Sequence, residues 1–234
     1  IDCGADCDEV WAGGTVVTLT ATPDQYHEFV GWSGGSCDGE TSATCVITVD
    51  GDETLTANFA PAMYTVTAAV SGAGTVASDL PGIDCGADCD ESWQEGTLVT
   101  LTATPDQYHE FVGWSGGSCD GDTNPSCAFM VSTDENITAT FQPILHTVTV
   151  SVSGPTDAGT VMGDAGGIAC PGVCSADLPE GSQLTLTASS VDGWQFTNWS
   201  GGPCDGSTTN TCLITVDGPV SITATYLTGR TLTV

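Results

Sequence analysis

Thr15-Val16-Val17-Thr18-Leu19-Thr20-Ala21-Thr22 alternates between apolar and polar side chains and is rich in β-branched types, the pattern of a strand with one buried face. Val17, Leu19 and Ala21 are expected to point inward. Downstream, Cys45-Val46-Ile47-Thr48-Val49 and Thr54-Leu55-Thr56-Ala57-Asn58-Phe59 flank the acidic turn Asp50-Gly51-Asp52-Glu53, which reads as a hairpin. Tyr64-Thr65-Val66-Thr67-Ala68-Ala69-Val70 and Thr75-Val76-Ala77 flank Ser71-Gly72-Ala73-Gly74 and read as another. No stretch carries the periodicity of a helix of normal length, and the cysteine segments read as turns with at most one short helical turn. The expected fold class is all-β with mostly antiparallel strands.

The same pattern occurs three times. Ile1-Asp2-Cys3-Gly4-Ala5-Asp6-Cys7 returns as Ile83 to Cys89, and more loosely as Ile168-Ala169-Cys170-Pro171-Gly172-Val173-Cys174. Phe29-Val30-Gly31-Trp32-Ser33-Gly34-Gly35 returns as Phe111 to Gly117 and as Phe196-Thr197-Asn198-Trp199-Ser200-Gly201-Gly202, at offsets of 82 and 85 residues. The first two copies are nearly identical and the third has drifted, so the third shows which positions a module can exchange. Expected modules are residues 1–61, 62–144 and 145–228, with 229–234 beginning a further one. Pro61 and Pro143 each follow a closing Phe by two residues and should stop the ladder and stiffen a very short linker, making the array a semi-rigid rod. Copy one lacks the opening hairpin, whereas Arg230-Thr231-Leu232-Thr233-Val234 matches His146-Thr147-Val148-Thr149-Val150. Two accounts stay open: a piece of a longer array, or a head-to-tail polymer in which Arg230, Thr231, Leu232, Thr233 and Val234 supply a strand to the next subunit. A single strand would replace half of a hairpin.

Composition narrows the partners. The chain has 234 residues, 1 Lys+Arg and 30 Asp+Glu, for a formal charge of -29. Nucleic-acid binding needs clustered basic residues, and Arg230 stands alone. Insertion into a membrane needs an apolar run of about 18 residues, and none is present. Twelve cysteines at constant spacing point to an oxidising, extracellular or cell-surface setting.

Each copy reads Cys-x3-Cys, then 29 residues, then Cys-x7-Cys: Cys3, Cys7, Cys37, Cys45; Cys85, Cys89, Cys119, Cys127; Cys170, Cys174, Cys204, Cys212. Local closure in sequence order is expected, two disulfides per module, because each short spacing closes a compact turn. Such loops contribute roughly 2 to 2.5 kcal/mol each on the chain-entropy account. Crossed pairing and a four-thiolate zinc site are the alternatives, though zinc favours Cys-x2-Cys knuckles.

Gly-Trp-Ser-Gly followed by a cysteine pair, the Leu-Thr-Ala-Thr-Pro strand at Leu19 and Leu101, and the closing Thr-Ala-x-Phe at Thr56 and Thr138 resemble the divergent bacterial repeats related to internalin B-repeats and Listeria-Bacteroides repeats. The resemblance covers copies two and three end to end and most of copy one. It implies small β-grasp-like modules in tandem on secreted or surface-anchored bacterial proteins, serving as spacers or adhesive stalks, and it brings no catalytic residues.

Candidates for chemistry are few. Acidic turns with Asp38 and Glu40, Asp50, Asp52 and Glu53, and Asp120 and Asp122 offer hard oxygen ligands of the kind weak calcium sites use. Their spacing does not fit an EF-hand, and copy three has Asp205-Gly206-Ser207. Calcium is the one ligand these residues suggest, and no other cofactor is expected. Trp32, Trp114 and Trp199 recur in every copy and read either as core or as a carbohydrate platform, whereas Trp11 and Trp93 become Leu178, an apolar packing position. His27 and His109 give way in copy three to Gly193-Trp194-Gln195, and His146 to Tyr64 and Arg230 in its equivalents, so catalysis by histidine is not expected. Asn136-Ile137-Thr138 and Asn198-Trp199-Ser200 match a glycosylation acceptor, a three-position signal. The expected function is a structural repeat protein forming a stalk or a filament. The alternative is a carbohydrate-binding or adhesive module attached to a secreted enzyme; an enzyme proper would need an acid, base and nucleophile that persist across the copies.

Overall fold

The computed structural model describes residues 2–4, 6–155 and 157–229. Its strands follow the Thr/Val/Leu alternation closely. The first module holds β1 (Val16–Thr20), β2 (His27–Ser33), β3 (Thr44–Thr48) and β4 (Thr56–Pro61). The second holds β5 (Met63–Ser71), β6 (Gly74–Ser78), β7 (Asp84–Cys85), β8 (Asp90–Gln94), β9 (Leu98–Pro105), β10 (His109–Ser115), β11 (Ser126–Met130) and β12 (Glu135–Pro143). The third repeats this with β13 (Leu145–Ser153), β14 (Gly159–Gly163), β15 (Ala169–Cys170), β16 (Ser175–Pro179), β17 (Gln183–Ser190), β18 (Trp194–Ser200), β19 (Thr211–Thr215) and β20 (Val220–Thr228). A single 3-10 turn precedes each Cys-x7-Cys loop, at Gly35–Cys37, Gly117–Cys119 and Gly202–Cys204.

Modules 2 and 3 each contain two four-stranded sheets, ordered β10-β12-β5-β8 with β11-β9-β6-β7, and β16-β13-β20-β18 with β15-β14-β17-β19. The first and last strands of a module run parallel at the centre of one sheet: Ile137 lies opposite Ala68, and Ile222 opposite Val150. The other named pairings are antiparallel. This is the β-grasp-like element of the fold; a second sheet, rather than a helix, covers the inner face. In module 3, Val148, Val150, Ile222 and Ala224 from one sheet meet Val161, Leu184, Leu186 and Ile214 from the other, around Trp199. The opening strand of the sequence reading behaves as expected: Ala21 is buried and Val17 and Leu19 half-buried, while their counterparts Val99, Leu101 and Ala103 are all buried.

Chain contacts divide the molecule into two units, residues 1–71, 75–104 and 113–140 in one, and 72–74, 105–112 and 141–234 in the other. Modules 1 and 2 therefore share most of the first unit. The closing strands β4 and β12 end at Pro61 and Pro143. Pro61 is the last residue of β4, opposite His27, and the very next amide, Ala62 N–H, still donates to the Tyr26 carbonyl at 2.9 Å. Proline is tolerated here because a strand's terminal residue can lack a donor.

Five local disulfides form in sequence order, Cys37–Cys45, Cys85–Cys89, Cys119–Cys127, Cys170–Cys174 and Cys204–Cys212. The expected sixth pair does not: Cys3 and Cys7 are free and exposed. The turn itself is made, with Asp2 and Asp6 bridged as Asp84 and Asp88 are. What differs is its support. Cys85 lies buried opposite Val76 of β6, and the Cys89 carbonyl accepts from Ala68 N–H of β5 at 2.8 Å. The described part of module 1 has no counterpart of β5 or β6 to hold its cysteines in place. A hydrogen bond with Cys7 is the main cause that pushes the Cys3 thiol pKa up.

Candidate functional site: the module joints

The chain passes from module 1 to module 2 through one residue, Ala62, and the connection is locked by a tyrosine. Tyr26 follows the Leu19-to-Thr22 strand and adopts φ 67°, a conformation rare for a side chain of this size. The strain presents its ring to the next module, where it rests against Gly96. A Cβ at Gly96 would stand 2.6 Å from the ring, and the glycine itself has φ 83°. Ala62 N–H donates to the Tyr26 carbonyl at 2.9 Å, Gln94 Nε2 donates to the same oxygen at 3.3 Å, and Glu95 N–H donates to the Ala62 carbonyl at 2.8 Å. The arrangement recurs with Tyr108, at φ 66°, over Gly181. There Ile144 N–H donates to the Tyr108 carbonyl at 2.9 Å and Glu180 N–H to the Ile144 carbonyl at 2.8 Å. His146, expected at a strand start, stands 3.2 Å from Glu180 at this joint. In module 3 the tyrosine position is Gly193, which keeps the positive φ at 85° and accepts from Gly229 N–H at 2.9 Å without supplying a ring.

Sequence reading missed these tyrosines. The exchange of Tyr26 and Tyr108 for Gly193 is visible in the sequence, but the positive φ that all three share, and that only glycine adopts without strain, is not.

The recurrent tryptophans are core. Trp32, Trp114 and Trp199 are 8%, 3% and 0% exposed, and each indole N–H donates to a backbone carbonyl, of Ser42, Asn124 and Thr209 respectively. A platform for sugar needs an open ring face, so the carbohydrate reading loses the residues on which it rested. Strict alternation would place Phe29 and Trp32 on opposite faces. A bulge between Phe29 and Gly31, repeated between Phe196 and Asn198, adds one residue and turns both rings inward, 5.5 Å and 5.3 Å apart. Trp11 is exposed and Leu178 buried.

Several of the calcium candidates make hydrogen bonds within their own turns. Asp38 accepts from Gly34 N–H and Asp120 from Gly116 N–H, both at 2.9 Å, and Asp122 accepts from Asn124 N–H at 2.8 Å. Glu40 contributes its carbonyl to Trp32 N–H at 2.8 Å. Glu53 takes the Ser36 hydroxyl at 2.6 Å and its N–H at 3.0 Å, as Glu135 takes Ser118 at 2.6 and 2.9 Å. Copy three exchanges both members together, to Pro203 and Val220. Proline removes the amide donor and the hydroxyl, so a carboxylate there would have no partner. Asp50 and Asp52 are exposed. Among the described residues no group of three or more His, Cys, Asp or Glu gathers as a metal site would.

The Ser36 hydroxyl, then its amide, hold the Glu53 carboxyl below the usual carboxylate range, and the Thr185 amide does the same for Asp164. Both groups are depressed on folding, so their stabilisation is complete at neutral pH and is lost as pH falls through the carboxylate range. Thermal melts from neutral pH to about pH 3 should show a falling melting temperature, with a shallower fall in Glu53→Gln and Asp164→Asn. An unchanged slope in both variants would contradict this assignment.

His27 and His109 stand 3.1 and 3.0 Å from the carbonyls of Gln25 and Gln107 in their own turns. Asn136 is exposed on β12, whereas Asn198 donates its amide to the Trp199 carbonyl at 2.9 Å. Arg230, Thr231, Leu232, Thr233 and Val234 lie outside the described residues. Among the described residues no helix is long and apolar enough to cross a membrane.

The profile of a family described as the divergent InlB B-repeat domain matches the chain three times, over residues 4–63, 64–145 and 149–230. No curated protein matches it. Similar solved structures include a C-terminal fragment of the pilus adhesin SpaC from Lactobacillus rhamnosus GG, 11% identical with a TM-score of 0.38, covering 73% of this chain and 100% of that one. The Bacillus anthracis TIE protein is 8% identical with a TM-score of 0.42, over 90% of this chain and 51% of that one. The major pilin protein T-13 from Streptococcus pyogenes is 12% identical with a TM-score of 0.32, over 71% and 97%.

Proposed function

The chain belongs to the divergent InlB B-repeat family, and on that premise we propose that it is a structural element of a bacterial cell surface or its surroundings, an array whose work is to hold modules in line. The observation that carries this reading is the repeated joint, in which a strained tyrosine, a glycine seat and backbone hydrogen bonds lock a one-residue linker. A free linker would need none of these. Local disulfides support an extracellular setting, where they persist. The acidic surface keeps neighbouring arrays apart. In its finer form the reading is a semi-rigid stalk continued in a longer repeat, or a filament built head to tail through residues 229–234. No catalytic role is assigned.

Stretching the chain between its ends tests the proposal. Resistance in discrete steps is expected, each lengthened by about 20 Å when a Cys-x7-Cys loop is reduced. Smooth extension with no resistance would overturn it. Light scattering then separates the finer forms: a mass near 23.7 kDa supports a stalk segment, and uniform fibres support a filament.

A further inference from the structure

In a chain of net charge -29, one sheet of each of modules 2 and 3 is built from strands without charge. Strands β6, β9 and β11, and β14, β17 and β19, hold no Asp, Glu, Lys, Arg or His. The partner sheets carry Asp90, Glu91, Glu110 and Glu135 in module 2 and His146 and Asp177 in module 3.

Alternate residues of these strands enter the core, and the others form an outer face. A solvated sheet face ordinarily takes charge; this one takes threonine and large apolar side chains. Leu98 on β9 and Met130 on β11 lie directly opposite each other and are 61% and 56% exposed. In module 3 their places hold Gln183 and Thr215, yet the apolar character is kept. Leu213 and Met162, 57% and 51% exposed, stand where module 2 has Ala128 and Ala77. Leu213 faces Thr185 across the sheet and Met162 faces Thr187. Drift has exchanged the residues and retained the surface, which singly scattered apolar residues give no reason to expect. The rim is polar. Asp79 and Asp164 are turned onto the backbone, accepting from Thr100 N–H at 2.8 Å and Thr185 N–H at 2.7 Å, and Asp84 stands opposite Ala77 on the flanking strand β7.

We propose that this face is a lateral contact between copies of the chain, the outer sheet of one copy packing on the same sheet of another, with salt governing the contact. Charge selects the occupant. A cationic partner is drawn to the acidic loops and gains nothing from an uncharged sheet. A sugar polymer is best held by an open aromatic ring, and the outer positions of these strands hold none: Phe129 is their one aromatic residue and is buried. A second copy, repelled by the loops, meets no charge here. The face is three strands wide and about five residues long, roughly 250 Å² per module, against about 800 Å² per partner in a stable complex. One module therefore gives a weak contact and several in series a stronger one, and for that gain alone the proposal rests on the array reading. At low ionic strength the loops hold copies apart; in about 1 M salt, where the screening length falls to about 3 Å, the apolar contact prevails.

The test is sedimentation equilibrium of the full chain, up to about 1 mM, in NaCl from about 0.05 M to 1 M. Self-association is expected to tighten at least about tenfold across that range. Leu98→Glu/Leu213→Glu should stay monomeric at 1 M NaCl. Ala69→Glu/Ser151→Glu adds the same charge to exposed positions of the other sheet and should associate as the parent does. Should the first variant melt below the parent, Thr102→Glu/Thr187→Glu takes its place on the same face. A chain monomeric throughout, association that weakens with salt, or equal association by both kinds of variant overturns the proposal, the last assigning the contact to another surface. Retention on an insoluble neutral polysaccharide that Leu98→Glu/Leu213→Glu loses, without self-association of the parent, gives the face to a sugar and also overturns it. The stretching experiment reads the joints of a single chain, so failure of either leaves the other standing.

Discussion

Replacing Trp199 by alanine is expected to lower the unfolding free energy by about 3 to 5 kcal/mol. Trp199 is fully buried between the two sheets of module 3 and stands 5.3 Å from Phe196. Its removal leaves a cavity between two hydrogen-bonded sheets that can close over it only in part. It also strips the Thr209 carbonyl of its indole donor at 2.9 Å. Module 1 supplies an internal comparison. Trp32 occupies the same position in a smaller cluster of five buried residues and is 8% exposed, so Trp32→Ala should cost about half as much. Denaturant unfolding followed by the loss of native tryptophan fluorescence measures both. Equal losses would mean that burial at the third module adds nothing to the position.

The Gly96→Val substitution should destabilise the first unit by about 2 to 4 kcal/mol. Two costs combine there: valine at φ 83° is strained, and its Cβ would stand 2.6 Å from the Tyr26 ring. The ring must leave its seat, and the backbone bonds around Ala62 then lose their alignment. Gly14 is the matched control. It has φ 84° and nothing within 4 Å of a Cβ, so Gly14→Val should pay only for backbone strain, about 1 to 2 kcal/mol. Limited proteolysis after residues 60–64 reads the joint directly: faster cleavage is expected in Gly96→Val and not in Gly14→Val. Identical behaviour of the two variants would show that the ring seat does not hold the modules.

Much of this fold was legible because each strand carries its burial pattern in a period of two. The repeat made the drift of copy three readable as a substitution series, and the buried Trp set, the expendable histidines and the short disulfide loops all came from it. The joints were illegible for a physical reason. A positive φ leaves no mark on the identity of Tyr26, and the residue that rewards the strain, Gly96, is 70 positions away. The Ser36–Glu53 clasp was legible only in part: the acidic turn drew attention as a ligand site, while its hydrogen-bond partner lay 17 residues upstream.

Local alternation, turn chemistry and cysteine spacing act over a few residues, so the sequence by itself determined the strands, the turns, the repeat and the pairing pattern of five disulfides. Tertiary structure decided what depends on a neighbour in space. It chose which face of Phe29-to-Trp32 is buried, through a bulge. It left Cys3 and Cys7 unpaired, seated the tyrosines on glycines of the following module, and gave Asp38, Asp120 and Glu53 hydrogen-bond donors from neighbouring turns. A strand's pattern records that one face will be covered, but the cover is a long-range contact, and its presence or absence is a property of the assembled fold.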